Sequence, residues 1–333
     1  PQCQNHLFKG WADRMTYTRE QLESLLALED FHDIYAQADA LRRETVGDVV
    51  HIRALLEFSN HCKRLCTYCG LNATDQKLSR FRMDPRDMIA TAQEAARAGY
   101  RTIVLQSGED PWYTPDRIGD IVEQIKKTGM AITLSCGEFP EDVYQYWRDC
   151  GADRYLLKHE TSDPALYASL HPDSSLDARV ACLRTLKKLG YETGGGFMIG
   201  LPGQTLSTIA GDLLLLQDIG CDMAGIGPFI PHPDTPLRDA PHGSTELTKR
   251  AVALARLLLP KANLPATTAL GVLDGAQKEN VFSCGANVIM RKVTPNNLKK
   301  LYQIYPASFS DVDIRTGRRE TEAEIRSMQR TPV

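Results

Sequence analysis

Val49-Val50-His51-Ile52-Arg53-Ala54-Leu55-Leu56-Glu57-Phe58-Ser59-Asn60-His61-Cys62-Lys63-Arg64-Leu65-Cys66-Thr67-Tyr68-Cys69 is the stretch on which the reading of the chain turns. Alternation along an extended strand puts Ile52, Ala54, Leu56 and Phe58 on one face and His51, Arg53, Leu55, Glu57 and Ser59 on the other. Three cysteines follow at once, Cys62, Cys66 and Cys69, in the spacing C-x3-C-x2-C. Thiolates are soft ligands suited to iron–sulfur clusters, zinc and copper. Three of them with no obvious fourth leave one coordination position open, and an open position is where substrate chemistry takes place. The alternative is a tetrahedral zinc site, commonly built from two separated Cys/His pairs. His61 is the adjacent candidate for a fourth ligand, but next to Cys62 it is poorly placed to converge.

Outward from this loop the chain alternates short β-rich runs with amphipathic helical patterns. Strands are expected at 49–58, 101–107, 130–135, 153–159, 191–199, 221–227, 264–269 and 286–291. Helical patterns lie near 85–98, 115–128, 140–150, 163–189 (broken at Pro172), 205–219, 245–259 and 274–283. Gly99, Gly129, Gly151, Gly190 and Gly220 each sit just past such a pattern, where a left-handed residue ends a helix. Eight alternating units call for a parallel sheet, and eight is the number that closes a (β/α)8 barrel; an open doubly wound sheet is the rival. Residues 1–48 read as an N-terminal helical extension with Thr18 capping its first helix, 49–306 as the barrel, and 307–333 as a charged C-terminal tail.

The inward face of this barrel is unusually polar. Arg53 and Glu57 on the first strand are joined by Thr102 and Gln106 on the second, Thr133 and Ser135 on the third, and Arg154, Lys158 and Glu160 on the fourth. An ordinary barrel interior is filled by branched apolar layers. Each buried polar group without a partner costs about 1–3 kcal/mol. The pattern therefore predicts a ligand-filled or solvated cavity along the axis, against the alternative of a dry network of ion pairs.

Composition narrows the function classes. The 333 residues carry a formal net charge of -3, with no basic field of the kind that holds nucleic acid. No run approaches a membrane span and no charged-then-apolar signal segment opens the chain, so no membrane partner and a cytoplasmic location are expected. Cys3, Cys136, Cys150, Cys182, Cys221 and Cys284 stand singly and read as free thiols. Active sites of this fold gather at the C-terminal ends of strands. There lie the cysteine loop, Gln106-Ser107-Gly108-Glu109-Asp110, Glu160, the glycine-rich run Gly194–Gly203, the proline-rich loop Gly227–Pro236, Thr267-Thr268 and Met290. Three glycines in the fifth strand suggest backbone held close to something bulky. Lys63 and Arg64, between the cysteines, offer a docking point for an acidic electron carrier, or a solvated charge pair.

Cys62, Cys66, Tyr68 and Cys69, with an aromatic before the last cysteine, resemble the signature of the radical S-adenosylmethionine (SAM) superfamily. Longer runs, among them Thr102–Asp110, Arg154–Thr161, Gly225–Leu237, Pro265–Ala269 and Cys284–Met290, resemble the HydE family of FeFe-hydrogenase maturases. The resemblance implies a full (β/α)8 barrel, one 4Fe–4S cluster on Cys62, Cys66 and Cys69, and reductive cleavage of S-adenosyl-L-methionine to a 5′-deoxyadenosyl radical. Carried over position by position, it implies that Tyr68, Ser107, Glu160, Arg179, Met198 and Ile230 contact the cofactor. It implies that Arg53, Gln106, Thr133, Met223, Thr267, Thr268, Met290, Tyr302 and Tyr305 line the substrate cavity. The substrate it implies is an iron carbonyl cyanide unit bound to cysteine, handled alongside the maturases HydG and HydF, with a ferredoxin or flavodoxin as electron donor. Some members carry further cysteines near the C-terminus for a second cluster; none follows Cys284 here, so a single cluster is expected. Methylornithine synthase and biotin synthase share the barrel and supply the alternative, a small amino-acid-like substrate.

Overall fold

The computed structural model describes residues 16–274, 280–307 and 311–333. Two helices, α1 (Arg19–Leu26) and α2 (His32–Val46), lead into strand β1 (Val49–Ser59). Then come α3 (Pro85–Arg97), β2 (Thr102–Ser107), α4 (Pro115–Lys126), β3 (Ala131–Ser135), α5 (Glu141–Asp149) and β4 (Arg154–Leu156). The chain continues through α6 (Pro164–Leu170), α7 (Leu176–Lys188), β5 (Glu192–Ile199), α8 (Leu206–Ile219), β6 (Met223–Pro228) and α9 (Thr245–Leu258). It finishes with β7 (Pro265–Ala266), α10 (Thr268–Asp274), a 3-10 turn (Val281–Cys284), β8 (Val288–Lys292), α11 (Asn296–Lys299), α12 (Ile314–Ser327) and β9 (Thr331–Pro332).

The strands run in the order β6-β5-β4-β3-β2-β1-β8-β7, and every pair in that path is parallel. The remaining seam, between β6 and β7, is bridged at Met223 and Asn263. There the Ala224 N–H donates to the Asn263 carbonyl at 3.1 Å, and the Asn263 N–H to the Asp222 carbonyl at 2.8 Å. The ring is thus nearly closed, and the open doubly wound sheet is excluded. Side-chain caps stop the helices from unravelling toward the loops: Asp84, Thr114, Asp163, Ser175, Thr205 and Ser244 each accept a backbone N–H of the helix they begin.

The two faces of β1 divide as the alternation requires. Ile52, Ala54, Leu56 and Phe58 join the apolar layer under the helices. Arg53 and Glu57 point the other way and are only 4% and 2% exposed. Inside the barrel Glu57 meets Lys292 at 2.7 Å, and Lys158 meets Glu160 at 2.9 Å. The interior therefore holds both ion pairs and a cavity, described below.

Several expectations are corrected. β4 is short, ending at Leu156, and the chain beyond it keeps only scattered bonds to β5, from the Leu157 N–H to the Gly194 carbonyl at 2.9 Å and from the Glu160 N–H to the Gly196 carbonyl at 3.0 Å. β7 stops at Ala266 because Thr267 turns its hydroxyl to the Leu270 N–H and starts α10, so Thr268 opens a helix rather than ending a strand. The helical pattern expected over 274–283 lies partly outside the described residues, and its described end is the 3-10 turn. The close approach expected at the glycines of β5 is found, and it is to other parts of the protein: a Cβ at Gly195 would lie 2.7 Å from Leu216 Cδ2, one at Gly194 would lie 2.8 Å from Leu156 Cδ1, and one at Gly196 would strike the Gly225 carbonyl.

Both chain ends belong to the same packed body. Leu22, Leu26, Phe31 and Ala38 of the N-terminal extension are buried in the core, where Tyr35 Oη donates to Glu246 Oε1 at 2.9 Å. Residues 1–15 of that extension, with Cys3, lie outside the described residues. The stretch read as a tail contains α12, whose Ile325 is fully buried, and β9, which pairs with Val49 and Val50 at the start of β1. Long-range pairing of two strand residues leaves no local period for a sequence reading to detect.

Candidate functional site

At the C-terminal end of β1 the backbone turns into the cysteine loop, which is held from three sides. Ser59 Oγ donates to Asp110 Oδ2 at 2.6 Å, and Arg82 grips the same carboxylate with two bonds of 2.7 and 2.9 Å. Arg80 donates to the carbonyls of Leu71 at 2.9 Å and Asn72 at 2.6 Å, clamping the loop's far end. The Lys63 N–H donates to the Glu109 carbonyl at 3.0 Å, and the Gly70 N–H to the Ile304 carbonyl at 3.0 Å. Neither Arg80 nor Arg82 stands out in sequence, since isolated arginines carry no motif.

The three thiols of the loop lie near enough to influence one another's charge. Burial first, then the neighbouring Cys69 and Cys62, push the Cys66 thiol above its ordinary range. Burial pushes Cys69 up to about 12. The Arg64 N–H approaches Cys62 Sγ at 3.4 Å, and the Leu71 N–H approaches Cys69 Sγ at 3.4 Å. Such contacts to sulfur favour the thiolate form and tune a bound cluster. Among the described residues no three His, Cys, Asp or Glu side chains are set around a single metal ion. Three soft thiols lining one cavity are a donor set that suits an iron–sulfur cluster.

All three cysteines line a cavity of about 320 Å³ in the barrel mouth. Tyr68, Ser107, Glu160, Arg179, Met198 and Ile230, the six residues expected to contact the cofactor, line it too, as do Gln106, Tyr302 and Tyr305. His61 and Cys136 lie outside this lining; Cys136 is buried with its Sγ 3.8 Å from the Leu105 carbonyl. Arg179 is nearly buried, with Nε 2.6 Å from Glu138 Oε1, so its charge is held in place at the wall. Arg64 is only 16% exposed and pairs with Glu109 at 2.7 Å and Glu138 at 2.7 Å. It is an internal tie between the cysteine loop and two neighbouring loops, not a docking point; Lys63 is the exposed member of that pair.

The other expected residues sit apart from this lining. Arg53, Thr133 and Met223 form a deeper layer, where Arg53 Nη1 contacts Met223 Sδ at 3.0 Å. Arg53 Nε and Thr133 Oγ1 are buried there with no protein hydrogen-bond partner. Burial, then the nearby Arg154, lowers Arg53 to about 10. Thr267 packs against Gly227, where a Cβ would lie 2.7 Å from its hydroxyl. Thr268 and Met290 line a second cavity of about 210 Å³, shared with Lys292, Lys299 and α12. Thr268 lies beside Tyr305 of the mouth, and Gln106 beside Tyr302.

His171 is a cavity residue that sequence reasoning missed. Its Nε2 lies 3.1 Å from Tyr68 Oη, and its ring stacks on Tyr167 at 4.3 Å. Burial, then the Arg179 charge, lowers it to about 4, so it is neutral at physiological pH. A histidine just past a short helix gives no signal in the sequence alone.

Comparisons with known proteins agree with this geometry. The model of the radical SAM superfamily matches residues 56–216. The "[FeFe] hydrogenase maturase subunit HydE" of Thermotoga maritima is 52% identical over 88% of this chain and 85% of its own. The 3-methylornithine synthase of Methanosarcina acetivorans is 29% identical over 84% of this chain and 80% of its own. The crystal structure of methylornithine synthase (PylB) superposes with a TM-score of 0.83 at 26% identity, covering 96% of this chain and 95% of that one. No helix among the described residues is long and apolar enough to cross a membrane. With a cysteine loop on the C-terminal rim of a parallel barrel, and a relative identical at half its positions across most of both chains, this chain is a radical SAM enzyme and belongs to the HydE family of FeFe-hydrogenase maturases.

Proposed function

We propose that the protein binds one 4Fe–4S cluster through Cys62, Cys66 and Cys69 and holds S-adenosyl-L-methionine in the adjoining cavity, acting in assembly of the di-iron subcluster of FeFe-hydrogenase. The convergence of three thiols at a cavity whose wall carries Ser107, Glu160 and Arg179 is the observation on which this rests. When bound, the cluster and SAM supply reductive cleavage to methionine and a 5′-deoxyadenosyl radical; the difficult chemistry belongs to them.

This chain's residues bind, orient and exclude water. Arg179, fixed by Glu138, presents a guanidinium for a carboxylate, and Glu160 presents acceptors for an ammonium or for ribose hydroxyls. Met198 and Ile230 give apolar walls for a nucleobase, and Tyr68, tied to His171, closes the side beside Cys69. Tyr302 and Tyr305 bring the C-terminal segment to the wall of the mouth, beside Gln106. Below it, the orphaned Arg53 Nε and Thr133 Oγ1 favour a polar, anionic substrate such as a cysteine-bound iron carbonyl cyanide unit, with cyanide and carboxylate groups to receive those donors. HydG and HydF are the partners this reading assigns, and a ferredoxin or flavodoxin the electron donor.

A small amino-acid-like substrate is the second reading, supported by the likeness to methylornithine synthase. Anaerobic reconstitution followed by an assay for 5′-deoxyadenosine tests the enzyme. The wild type is expected to be brown and to consume SAM when reduced, and Cys66→Ala to lose both cluster and cleavage. Cleavage that survives Cys66→Ala refutes the assignment of the ligands. Turnover of ornithine- or lysine-like compounds, with none of an iron carbonyl cyanide cysteine complex, would select the second reading.

A further inference from the structure

Behind the cavity wall, the turn that presents Glu160 rests on a fully buried ionisable pair, His159 and Asp212. Glu160 has φ +64°, a conformation that strains a non-glycine residue and persists only where its surroundings over-determine it. The Thr161 N–H reaches back to the His159 carbonyl at 2.8 Å, closing a three-residue turn with Glu160 at its centre. One side of that turn is fixed by β5: the Glu160 N–H donates to the Gly196 carbonyl at 3.0 Å, and the Met198 N–H to the Glu160 carbonyl at 3.1 Å.

The other side is fixed by α8. Asp212 Oδ1 accepts the Ser162 N–H just after the turn and faces His159 Nε2, at 3.5 Å, just before it. One carboxylate thus touches both ends of the segment whose middle residue is Glu160. Both side chains are fully buried. Neither ring nitrogen of His159, nor Asp212 Oδ2, has a hydrogen-bond partner. The neighbouring Gly211 admits this contact, since a Cβ there would lie 2.9 Å from Ser162 Oγ. An apolar pair of similar volume would be as stable or more so, so packing alone does not account for an ionisable pair at this place.

The geometry points to His159 and Asp212 as the positioning pair of Glu160, holding its strained turn so that the carboxylate faces the cofactor cavity. Neither residue itself lines that cavity; both act through Glu160. The inference rests on the reading that Glu160 contacts SAM.

The test is equilibrium binding of SAM to the anaerobically reconstituted protein in a double-mutant cycle of Asp212→Leu and Glu160→Ala, with iron per chain measured throughout. Asp212→Leu is expected to weaken binding about tenfold, the size of one lost charge-assisted hydrogen bond, with iron content near wild type. On the Glu160→Ala background it is expected to have no further effect, because both changes remove the same contact. Asp212→Asn, which keeps an oxygen for the Ser162 N–H, is expected to stay within about twofold of wild type, a rescue that a packing role would not need. Additive losses in the double variant, or wild-type affinity of Asp212→Leu, overturn the inference while leaving the Glu160 contact intact. Wild-type affinity of Glu160→Ala overturns both. Should Asp212→Leu not fold, His159→Phe takes its place in the cycle, with the same expectation of no further effect beside Glu160→Ala.

Discussion

Gly108→Ala tests how the cysteine loop is held. Gly108 opens the loop after β2, and its N–H donates to the Ser59 carbonyl at 3.1 Å. An ideal Cβ at this position would lie 2.7 Å from Cys62 Cβ and closer still to the His61 carbonyl oxygen. Carbon atoms rest at about 3.5–4.0 Å, so the loop must retreat by about 1 Å. The obstruction is backbone, which cannot swing aside as a flexible side chain would. Gly108 does not adopt a positive φ, so alanine is excluded by contact and not by its own conformation. Overpacking of this kind costs about 1–3 kcal/mol, and here Cys62, the first of the proposed cluster ligands, is what moves. Gly108→Ala is expected to bind substantially less iron per chain after anaerobic reconstitution and to unfold at a lower temperature. Gly271→Ala is the control, because a Cβ there meets nothing within 4 Å. Wild-type iron content and melting temperature in Gly108→Ala would refute the claim that the second loop sets the position of Cys62.

Two further outcomes follow from the buried charges. Lys292→Met strands Glu57, 2% exposed and paired at 2.7 Å, inside the barrel; breaking a buried pair from one side costs about 3–5 kcal/mol. Urea unfolding should show that loss, with partial recovery in the Glu57→Gln, Lys292→Met double variant, and an unchanged midpoint would count against a buried pair. His171, buried and lowered to about 4 in the folded state, has an unfolded value of about 6.5. Between those values the unfolded chain binds the proton and the folded one does not. Its contribution is therefore complete above pH of about 6.5, and stability falls by up to about 3 kcal/mol as pH drops toward 4. His171→Phe should flatten that part of the pH–stability curve measured by urea unfolding; an identical slope in both proteins would show that His171 protonates freely when folded.

Much of the architecture is legible before any coordinates. The two-residue period of β1 already separates Ile52, Ala54, Leu56 and Phe58 from Arg53 and Glu57, because a strand's alternation is a property of the strand itself. The spacing of Cys62, Cys66 and Cys69 announces a ligand trio, because one short loop carries all three. Glycine stops and capping residues mark helix ends for the same local reason.

What escapes such a reading depends on residues far apart in the chain. Arg64 looks like a surface charge until β2, β3 and the turn before α7 bring Glu109, Glu138 and Asp173 around it. Thr268 is read at a strand end because the capping role of its neighbour Thr267 competes with strand propensity and wins. The polar tail becomes a packed helix and a strand only through pairing with β1, some 280 residues earlier, as Val49 meets Thr331. Periodicity and ligand spacing were settled by the sequence alone, since they need only neighbouring residues. The buried charge network around the cysteine loop, the second cavity and the turn that aims Glu160 were decided by closure of the barrel, which brings groups from different strands within bonding distance.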